Sequence, residues 1–143
     1  MKQIKVQVVQ SIEEQVEEIR DKIRTRAYEK FLNRGCESNR EMQDWLEAET
    51  ELVEELPTTI SEEDNRIVAN IQTTGMDIRD LSVSATTQEL MIRGEIDGRS
   101  AIAVVELSQP VDPISMRAEY NAGSLRITAP IPDSASKHLQ KSA

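Results

Sequence analysis

The chain has 143 residues, a length that suits one modest domain or a small domain with a separate appendage. It carries 17 lysine and arginine residues against 26 aspartate and glutamate residues. Neither the part before Pro57 nor the part after it is basic, so we expect no nucleic-acid partner. Aromatic residues make up 3% of the chain, which argues against an aromatic-lined pocket and requires an aliphatic core.

The sequence carries few of the side chains that catalysis or metal binding needs. Its one cysteine, Cys36, cannot form an intramolecular disulfide, and its one histidine, His138, lies in the polar C-terminal tail. No loop has the alternating Asp/Asn pattern of a calcium site, and no glycine-rich phosphate loop or nucleophile elbow occurs. We therefore expect no enzyme activity, no metal and no cofactor.

No stretch of the sequence is typical of a signal peptide or a transmembrane helix. The opening residues, MKQIKVQVVQ, contain no continuous apolar run, and no segment approaches about 20 apolar residues. We expect a cytoplasmic protein without membrane contact.

Residues 11–56 follow a helical period and predict an αα-hairpin behind an N-terminal segment, residues 1–10. A capping box formed by Ser11 and Glu14 predicts the start of the first helix, and Asn33 and Gly35 predict its end. The apolar face of this helix consists of Ile12, Val16, Ile19, Ile23, Ala27 and Phe31.

A second capping box, Ser38 with Glu41, predicts the start of the second helix, and Pro57 predicts its end. Its apolar face consists of Met42, Trp45, Leu46, Leu52, Val53 and Leu56. The short link near Gly35 makes the two helices antiparallel neighbours. Because two helices bury little surface, we expect the hairpin to dock on the second half of the chain, on a second copy or on a client.

Residues 58–131 alternate between apolar and polar side chains and predict an antiparallel β-sandwich. Strands are expected near residues 67–71, 81–85, 90–96, 101–107, 116–120 and 125–129. Asp97-Gly98 is a strong signal for a two-residue hairpin turn. Residues 101–107 are apolar on both faces, which is typical of a central or interface strand. The polar residues 132–143 predict a disordered tail.

Four stretches of this second half resemble the α-crystallin domain of the small heat-shock proteins. They are Gly75-Met-Asp-Ile-Arg-Asp-Leu-Ser-Val83, Glu89-Leu-Met-Ile-Arg-Gly-Glu95, Leu107-Ser-Gln-Pro-Val-Asp-Pro113, and Ala118-Glu-Tyr-Asn-Ala-Gly-Ser-Leu125 running on to Pro130. The resemblance covers about residues 58–131. It implies an α-crystallin-type, immunoglobulin-like antiparallel sandwich, so the expected fold class is mainly β with an N-terminal αα-hairpin.

The helical half resembles a short bacterial domain of unknown function. The matching stretches are Arg26-Ala-Tyr-Glu-Lys-Phe-Leu-Asn-Arg-Gly35 and Asp44-Trp-Leu-Glu-Ala-Glu49. This resemblance brings no activity with it and suggests a bacterial source.

The α-crystallin resemblance implies a peptide-binding groove between the strands near residues 81–85 and 114–120. Its lining would be Leu81, Val83, Met116 and Ala118, although the same side chains could simply fill the sandwich core. In family members the groove accepts an Ile-x-Ile/Val segment of a neighbouring chain. Near the start of this chain Ile4-Lys-Val6 has that spacing, with Val8 in phase. We expect either an arm that enters a groove as an added strand or a stray strand.

Two departures from the family pattern bear on assembly. No Ile-x-Ile/Val segment follows the last strand, so large assemblies held by C-terminal segments are in doubt. The link between the strands on either side of Asp97-Gly98 is too short to cross to a partner, so we expect no strand exchange. A homodimer or small homo-oligomer would then use the strand that carries Ala101, Ala103 and Val105, or the helical hairpin.

The family resemblance implies an ATP-independent chaperone of the stress response, which binds partly unfolded clients and prevents their aggregation. Exposed apolar surface is enough for this activity, because its burial is worth about 25 cal/mol per Å². The alternative is a protein-binding adaptor or co-chaperone that uses the same sandwich for one folded partner. Trp45 could anchor such an interface, or belong to the core.

Overall fold

The computed structural model describes residues 2–35 and 39–132. In chain order its elements are β1 (Lys2–Ile4), β2 (Val6–Val8), α1 (Glu13–Asn33), α2 (Glu41–Leu52), β3 (Val53–Glu55), β4 (Thr58–Glu63), β5 (Arg66–Gln72), a 3₁₀ turn (Ile78–Asp80), β6 (Ser82–Ala85), β7 (Glu89–Ile96), β8 (Arg99–Glu106), a second 3₁₀ turn (Pro113–Ser115), β9 (Arg117–Asn121) and β10 (Ser124–Pro130). The predicted cap at Ser38, the turn at Cys36 and residues 133–143 of the predicted disordered tail lie outside the described residues.

The strands form two five-stranded sheets that face each other. In sheet A the order is β1-β9-β10-β5-β4, and all four pairings are antiparallel. In sheet B the order is β2-β6-β7-β8-β3, with antiparallel pairing in the middle and parallel pairing of β2 and β3 at the two edges. The predicted mainly β sandwich with an N-terminal helical hairpin is confirmed.

The turn at Asp97-Gly98 joins β7 to β8 as the sequence predicts. Both residues have positive φ, 50° for Asp97 and 78° for Gly98. Two consecutive left-handed residues give the tight turn whose twist matches that of the strands. The two long strands therefore pair along their whole length, from Glu89 opposite Glu106 to Ile96 opposite Arg99.

The main core lies between the inner faces of the two sheets. It is aliphatic, and its most deeply buried members include Ile71, Ile92, Leu125 and Ile127. Both inner faces are built from Ile, Leu, Val, Ala and Met, so aliphatic side chains fill the core without aromatic ones.

A second core lies on the outer face of sheet B and explains where the hairpin docks. Ile19 and Ile23 of α1 and Ala48 of α2 pack with Met91 of β7, and all four are buried. Ile102 of β8 contributes to the same cluster. The two faces of β7 and β8 are therefore both covered by apolar side chains, one set inside the sandwich and one under the hairpin.

The first helix begins close to the predicted position. Its first residue is Glu13, and the Ser11 hydroxyl accepts a hydrogen bond from the Glu13 amide at 3.1 Å. The N-cap residue is Ile12, which makes no side-chain cap hydrogen bond. Within the described residues, the predicted capping box of Ser11 and Glu14 therefore does not form. Gly35, with φ of 75°, follows the last turn as expected for a residue that ends a helix.

The second helix ends four residues earlier than its apolar pattern predicts. Residues Val53–Glu55 form the strand β3, paired in parallel with Ser100–Ile102 of β8. The Leu56 amide continues this pairing with a hydrogen bond to the Ile102 carbonyl at 2.8 Å. Pairing with an open sheet edge satisfies backbone groups that a short solvent-exposed helical turn would leave to water. Met42 and Leu46, expected on the apolar face, are 72% and 52% exposed.

Ion pairs hold the two helices together. At the closed end of the hairpin, the Arg34 guanidinium donates two hydrogen bonds to the Asp44 carboxylate, which is buried. Further along, Glu51 of α2 accepts hydrogen bonds from Arg26 and Lys30 of α1, each at 2.7 Å. These two hydrogen bonds lower the pKa of Glu51 from 4.5 to about 2, and the bond from Arg26 has the larger effect.

Replacing Asp44 with asparagine removes the charge that faces Arg34 and keeps the shape of the side chain. We expect D44N to lower the free energy of unfolding by about 1–3 kcal/mol, because the ion pair between the buried Asp44 carboxylate and Arg34 is lost. Urea titration followed by Trp45 fluorescence measures this. The control is E47Q, which changes an exposed carboxylate 3.9 Å from Lys30 and should shift stability by less than about 0.5 kcal/mol. Equal effects of the two variants would contradict this account.

The depressed pKa of Glu51 predicts a specific pH dependence. A carboxylate that is more acidic when folded stabilises the fold fully above its unfolded pKa of 4.5, and that contribution falls as the pH drops towards about 2. The stability difference between the natural chain and E51Q should therefore be constant at neutral pH and shrink between pH 4.5 and 2. Urea midpoints at pH 7, 4 and 3 test this, and a difference that grows on acidification would refute it.

Candidate peptide-binding groove

The candidate groove lies between β6 of sheet B and β9 of sheet A, on the side of the sandwich where β2 and β1 are the outermost strands. The four residues predicted to line it are Leu81, Val83, Met116 and Ala118. All four are buried, with exposed fractions of 8%, 0%, 7% and 2%, and all belong to the main core. Their side chains therefore form the inner wall of the sandwich at this edge.

Two similar turns position the groove strands. Asp77 accepts a hydrogen bond from the Arg79 amide at 2.9 Å and so starts the 3₁₀ turn that leads to Leu81. Asp112 does the same for the second turn, accepting from the Ile114 amide at 3.1 Å before Met116. The Arg79 side chain also binds Asp77 and lowers the pKa of that carboxylate to about 2, so this cap stays ionised at neutral pH. The turns aim Leu81 and Met116 into the same edge of the core.

The N-terminal arm, which we define as residues 2–9, runs between these two strands. β1 pairs with β9 and β2 pairs with β6, with Lys5 alone between the two short strands. Ile4 lies opposite Ala118, and Val6 lies opposite Val83. The Val9 amide extends the pairing with a 2.9 Å hydrogen bond to the Ala85 carbonyl. The arm thus bridges the edges of both sheets of its own chain.

The residues of the arm differ in how deeply they sit. Ile4 and Val6 are half-buried and pack against the main core, whereas Val8 is 51% exposed. A cavity of about 350 Å³ remains beside the arm, lined by Ile4, Val6, Met116 and Ala118 and by the polar neighbours Gln3, Lys5 and Arg117. The arm therefore fills the edge incompletely, and Leu81 is not part of the lining of this cavity.

The strand predicted to form a dimer is β8. Ala101, Ala103 and Val105 point into the sandwich core, with exposed fractions of 0%, 7% and 4%. Their side chains are thus unable to meet a partner, and an interface at this strand would use its backbone edge. β3 covers that edge at Ser100–Ile102. Within the described residues, no strand pairs with the outer edge of β8 from Val104 onward.

One apolar surface escaped the sequence analysis. Met91, Ile102 and Val104 lie on the outer face of sheet B, beneath or beside the hairpin. Because residues 101–107 are apolar on both faces, their pattern indicates that both faces of this strand are covered. The pattern does not predict which element covers the second face. Trp45, predicted as an anchor or a core residue, is half-buried in this region.

The described residues bring together few groups for chemistry other than binding. Across residues 2–35 and 39–132, no three His, Cys, Asp or Glu side chains are placed to hold a metal ion. In the same part of the chain, neither helix combines the length and the apolar character needed to cross a bilayer. The groove between β6 and β9 is aliphatic, and its two strand edges are paired with the chain's own arm.

Comparisons with known proteins divide the chain in the same way as its fold. Residues 18–53 match a family described as a protein of unknown function (DUF2934). A comparison with curated protein sequences found no match. The match to the family model falls within the helical hairpin.

The sandwich is similar to solved small heat-shock proteins. Heat shock protein 16.0 from Schizosaccharomyces pombe is 15% identical, with a TM-score of 0.52, over 56% of this chain and 68% of that one. HSP18.5 from E. histolytica is 15% identical, with a TM-score of 0.50, over 55% and 88% of the two chains. HspA from Xanthomonas axonopodis is 22% identical, with a TM-score of 0.50, over 55% and 94%. At these identities the likeness establishes a shared sandwich fold.

Loosening the arm should expose the groove without damaging the sheets. We expect I4S/V6S to lower the free energy of unfolding by about 2 kcal/mol, since two half-buried aliphatic side chains are lost, and to increase the binding of the dye ANS. The control is Q3S/Q7S, which changes two exposed residues of the same strands and should leave both quantities nearly unchanged. If the two variants behave alike, the arm is not held by Ile4 and Val6.

Proposed function

We propose that this chain is an ATP-independent holdase of the small heat-shock type, which binds partly unfolded proteins at the edge groove between β6 and β9. The observation that carries the proposal is the occupancy of that groove by the chain's own arm. The arm uses an aliphatic Ile-x-Val pair together with backbone hydrogen bonds, and an unfolded client can supply both.

Few contacts hold the arm in its groove. Each of its strands has three residues, and Ile4 and Val6 are only half-buried. Local opening of such a segment costs far less than global unfolding. Once the arm is displaced, Val83, Met116 and Ala118 would present apolar surface, and a client segment gains about 25 cal/mol for each Å² that it buries there. No nucleotide or catalytic group is needed for that exchange.

The fold comparison supports the same activity at a coarser level. The solved proteins that share the sandwich are heat-shock proteins. Because a fold can host several functions, this likeness alone does not distinguish a holdase from other binding proteins. We place the activity in a bacterial cytoplasm, with a homodimer or small homo-oligomer as the working unit.

A second candidate is a dedicated adaptor or co-chaperone. The occupied groove favours it, since a chain whose arm closes the client site would bind a folded partner through another surface. The two candidates differ in range: a holdase protects unrelated unfolding proteins, and an adaptor does not.

Locking the arm tests the holdase directly. Gln3 and Glu119 are opposite each other in β1 and β9, within the separation that a cross-strand disulfide can span. In a C36S background, Q3C/E119C should form a disulfide that keeps the arm in place. We expect the oxidised variant to suppress the light scattering of heat-denatured citrate synthase poorly, and the reduced variant to match the natural chain.

The matched comparison is I4S/V6S, whose looser arm raises the open fraction. An arm weakened by about 2 kcal/mol should be open about thirty times as often, so less protein should be needed for the same protection. Failure of both the natural chain and I4S/V6S to suppress scattering, with each shown to be folded, would reject the holdase and favour the adaptor. Equal protection by the locked and unlocked arm would place client binding elsewhere on the chain.

A further inference from the structure

A second groove runs along α1, on the outer face of sheet B. One cavity of about 640 Å³ lies between the hairpin and the sheet, and another of about 560 Å³ lies beside the first turns of α1. Both are lined by Val16, Arg20 and Val104, so the two cavities are neighbours along the helix, and we call them together the α1 groove. It shares no residue with the cavity beside the arm.

The floor and walls of the α1 groove are apolar. Met91, Ile102 and Val104 of the sheet form the floor, and Val16 and Ile19 of α1 form one wall. Val104 is 46% exposed, although it stands beside the second core of the protein. The hairpin therefore covers this face of the sheet only in part and leaves aliphatic surface open to solvent.

The rim of the α1 groove is strongly acidic. Seven glutamates and two arginines line the two cavities. Arg99 already pairs with Glu54 at 2.9 Å, and Arg20 lies 3.8 Å from Glu17. The remaining five carboxylates form no ion pair within residues 2–35 and 39–132; they are Glu13, Glu14, Glu49, Glu55 and Glu89. An apolar groove flanked by unpaired negative charges is complementary to a ligand that has an apolar face flanked by positive charges.

We propose that the α1 groove binds a cationic amphipathic segment of a partner protein, with apolar side chains on the floor and lysine or arginine on the acidic rim. The groove extends beside α1 from Ile12 to Ile23, about 16 Å at 1.5 Å per helical residue. That length matches about three turns of an amphipathic helix, a common form of segment recognised in an apolar groove. This surface is separate from the proposed client site.

Charge argues against other occupants. The chain carries a net charge of −9, so a second copy would bring more acid to an acidic rim. Nucleic acids and anionic lipid surfaces would be repelled for the same reason. A cationic segment gains from the unpaired carboxylates at the rim and also buries the open aliphatic floor.

The sole tryptophan makes the α1 groove directly observable. Trp45 lines the larger cavity, so its emission should change when a ligand enters. The probe is a synthetic twelve-residue amphipathic peptide with leucine on one face and lysine on the other, added to the full chain. We expect a saturable shift of Trp45 emission, which weakens as salt is raised. The same peptide with glutamate in place of lysine should give no shift.

Rim variants separate specific binding from general attraction. E13Q/E89Q removes two carboxylates without breaking an ion pair, and we expect it to weaken binding of the lysine peptide about threefold to tenfold. E62Q/E119Q makes the same change in net charge on β4 and β9 of sheet A, away from the α1 groove, and should bind as the natural chain does.

Three outcomes would overturn the proposal. They are no shift with the lysine peptide, an equal shift with the glutamate peptide, and equal weakening in the two double variants. A concentration-dependent dimer that buries Trp45 and excludes the peptide would assign the groove to a second copy instead. The oxidised Q3C/E119C variant keeps the arm closed. Peptide binding retained in that variant would show that the α1 groove binds its ligand independently of the proposed client site.

Discussion

The fold depends on how its open sheet edges are covered. A sandwich built from residues 58–130 alone would have four edges, at β4, β6, β8 and β9, each with a row of unpaired backbone N–H and C=O groups. The first 55 residues cover three of these edges, with β1 on β9, β2 on β6 and β3 on β8. Each covering strand has only three residues, so it forms few backbone hydrogen bonds and offers only a short outer edge for pairing with another chain.

Covering the edges in this way links the helical hairpin to the sandwich at both of its ends. The arm precedes α1, and Val9 binds Ala85 just before Ile12 enters the second core. At the other end β3 follows α2 directly and pairs with β8. In the proposed exchange, an arm that leaves its groove would remain tethered beside it at high effective concentration, so that re-closure would be fast and client binding reversible.

The sequence predicted best where side-chain pattern alone decides structure. Alternation located β5 to β10, and Asp97-Gly98 located the two-residue turn between β7 and β8, because a half-buried sheet demands a period of two and left-handed φ values demand such residues. The pattern was misleading at residues 53–56. There Val53 and Leu56 continue a helical spacing, but backbone pairing with β8 decides the outcome. Glu55 pairs with Ile102, 47 residues later in the chain. The local sequence carries no signal for such a distant pairing partner.

The candidate groove shows the same limit. The family resemblance selected Val83 and Ala118, and the Ile-x-Val spacing selected Ile4 and Val6, but only the three-dimensional structure shows each arm residue opposite one groove residue. The α1 groove was harder still. Its floor comes from two strands and its wall from a helix about 75 residues earlier in the chain, as the Glu18–Arg93 ion pair across the same interface shows.

The two grooves make different physical demands on what they bind. At the proposed client site between β6 and β9, backbone hydrogen bonds and aliphatic contacts would carry the interaction, and every extended apolar segment can provide them. Along α1, a rim of unpaired glutamates adds a requirement for positive charge at set positions. Repulsion of acidic segments is what would make an apolar groove with such a rim selective. The first surface therefore suits unfolded chains of any sequence, and the second suits one kind of partner.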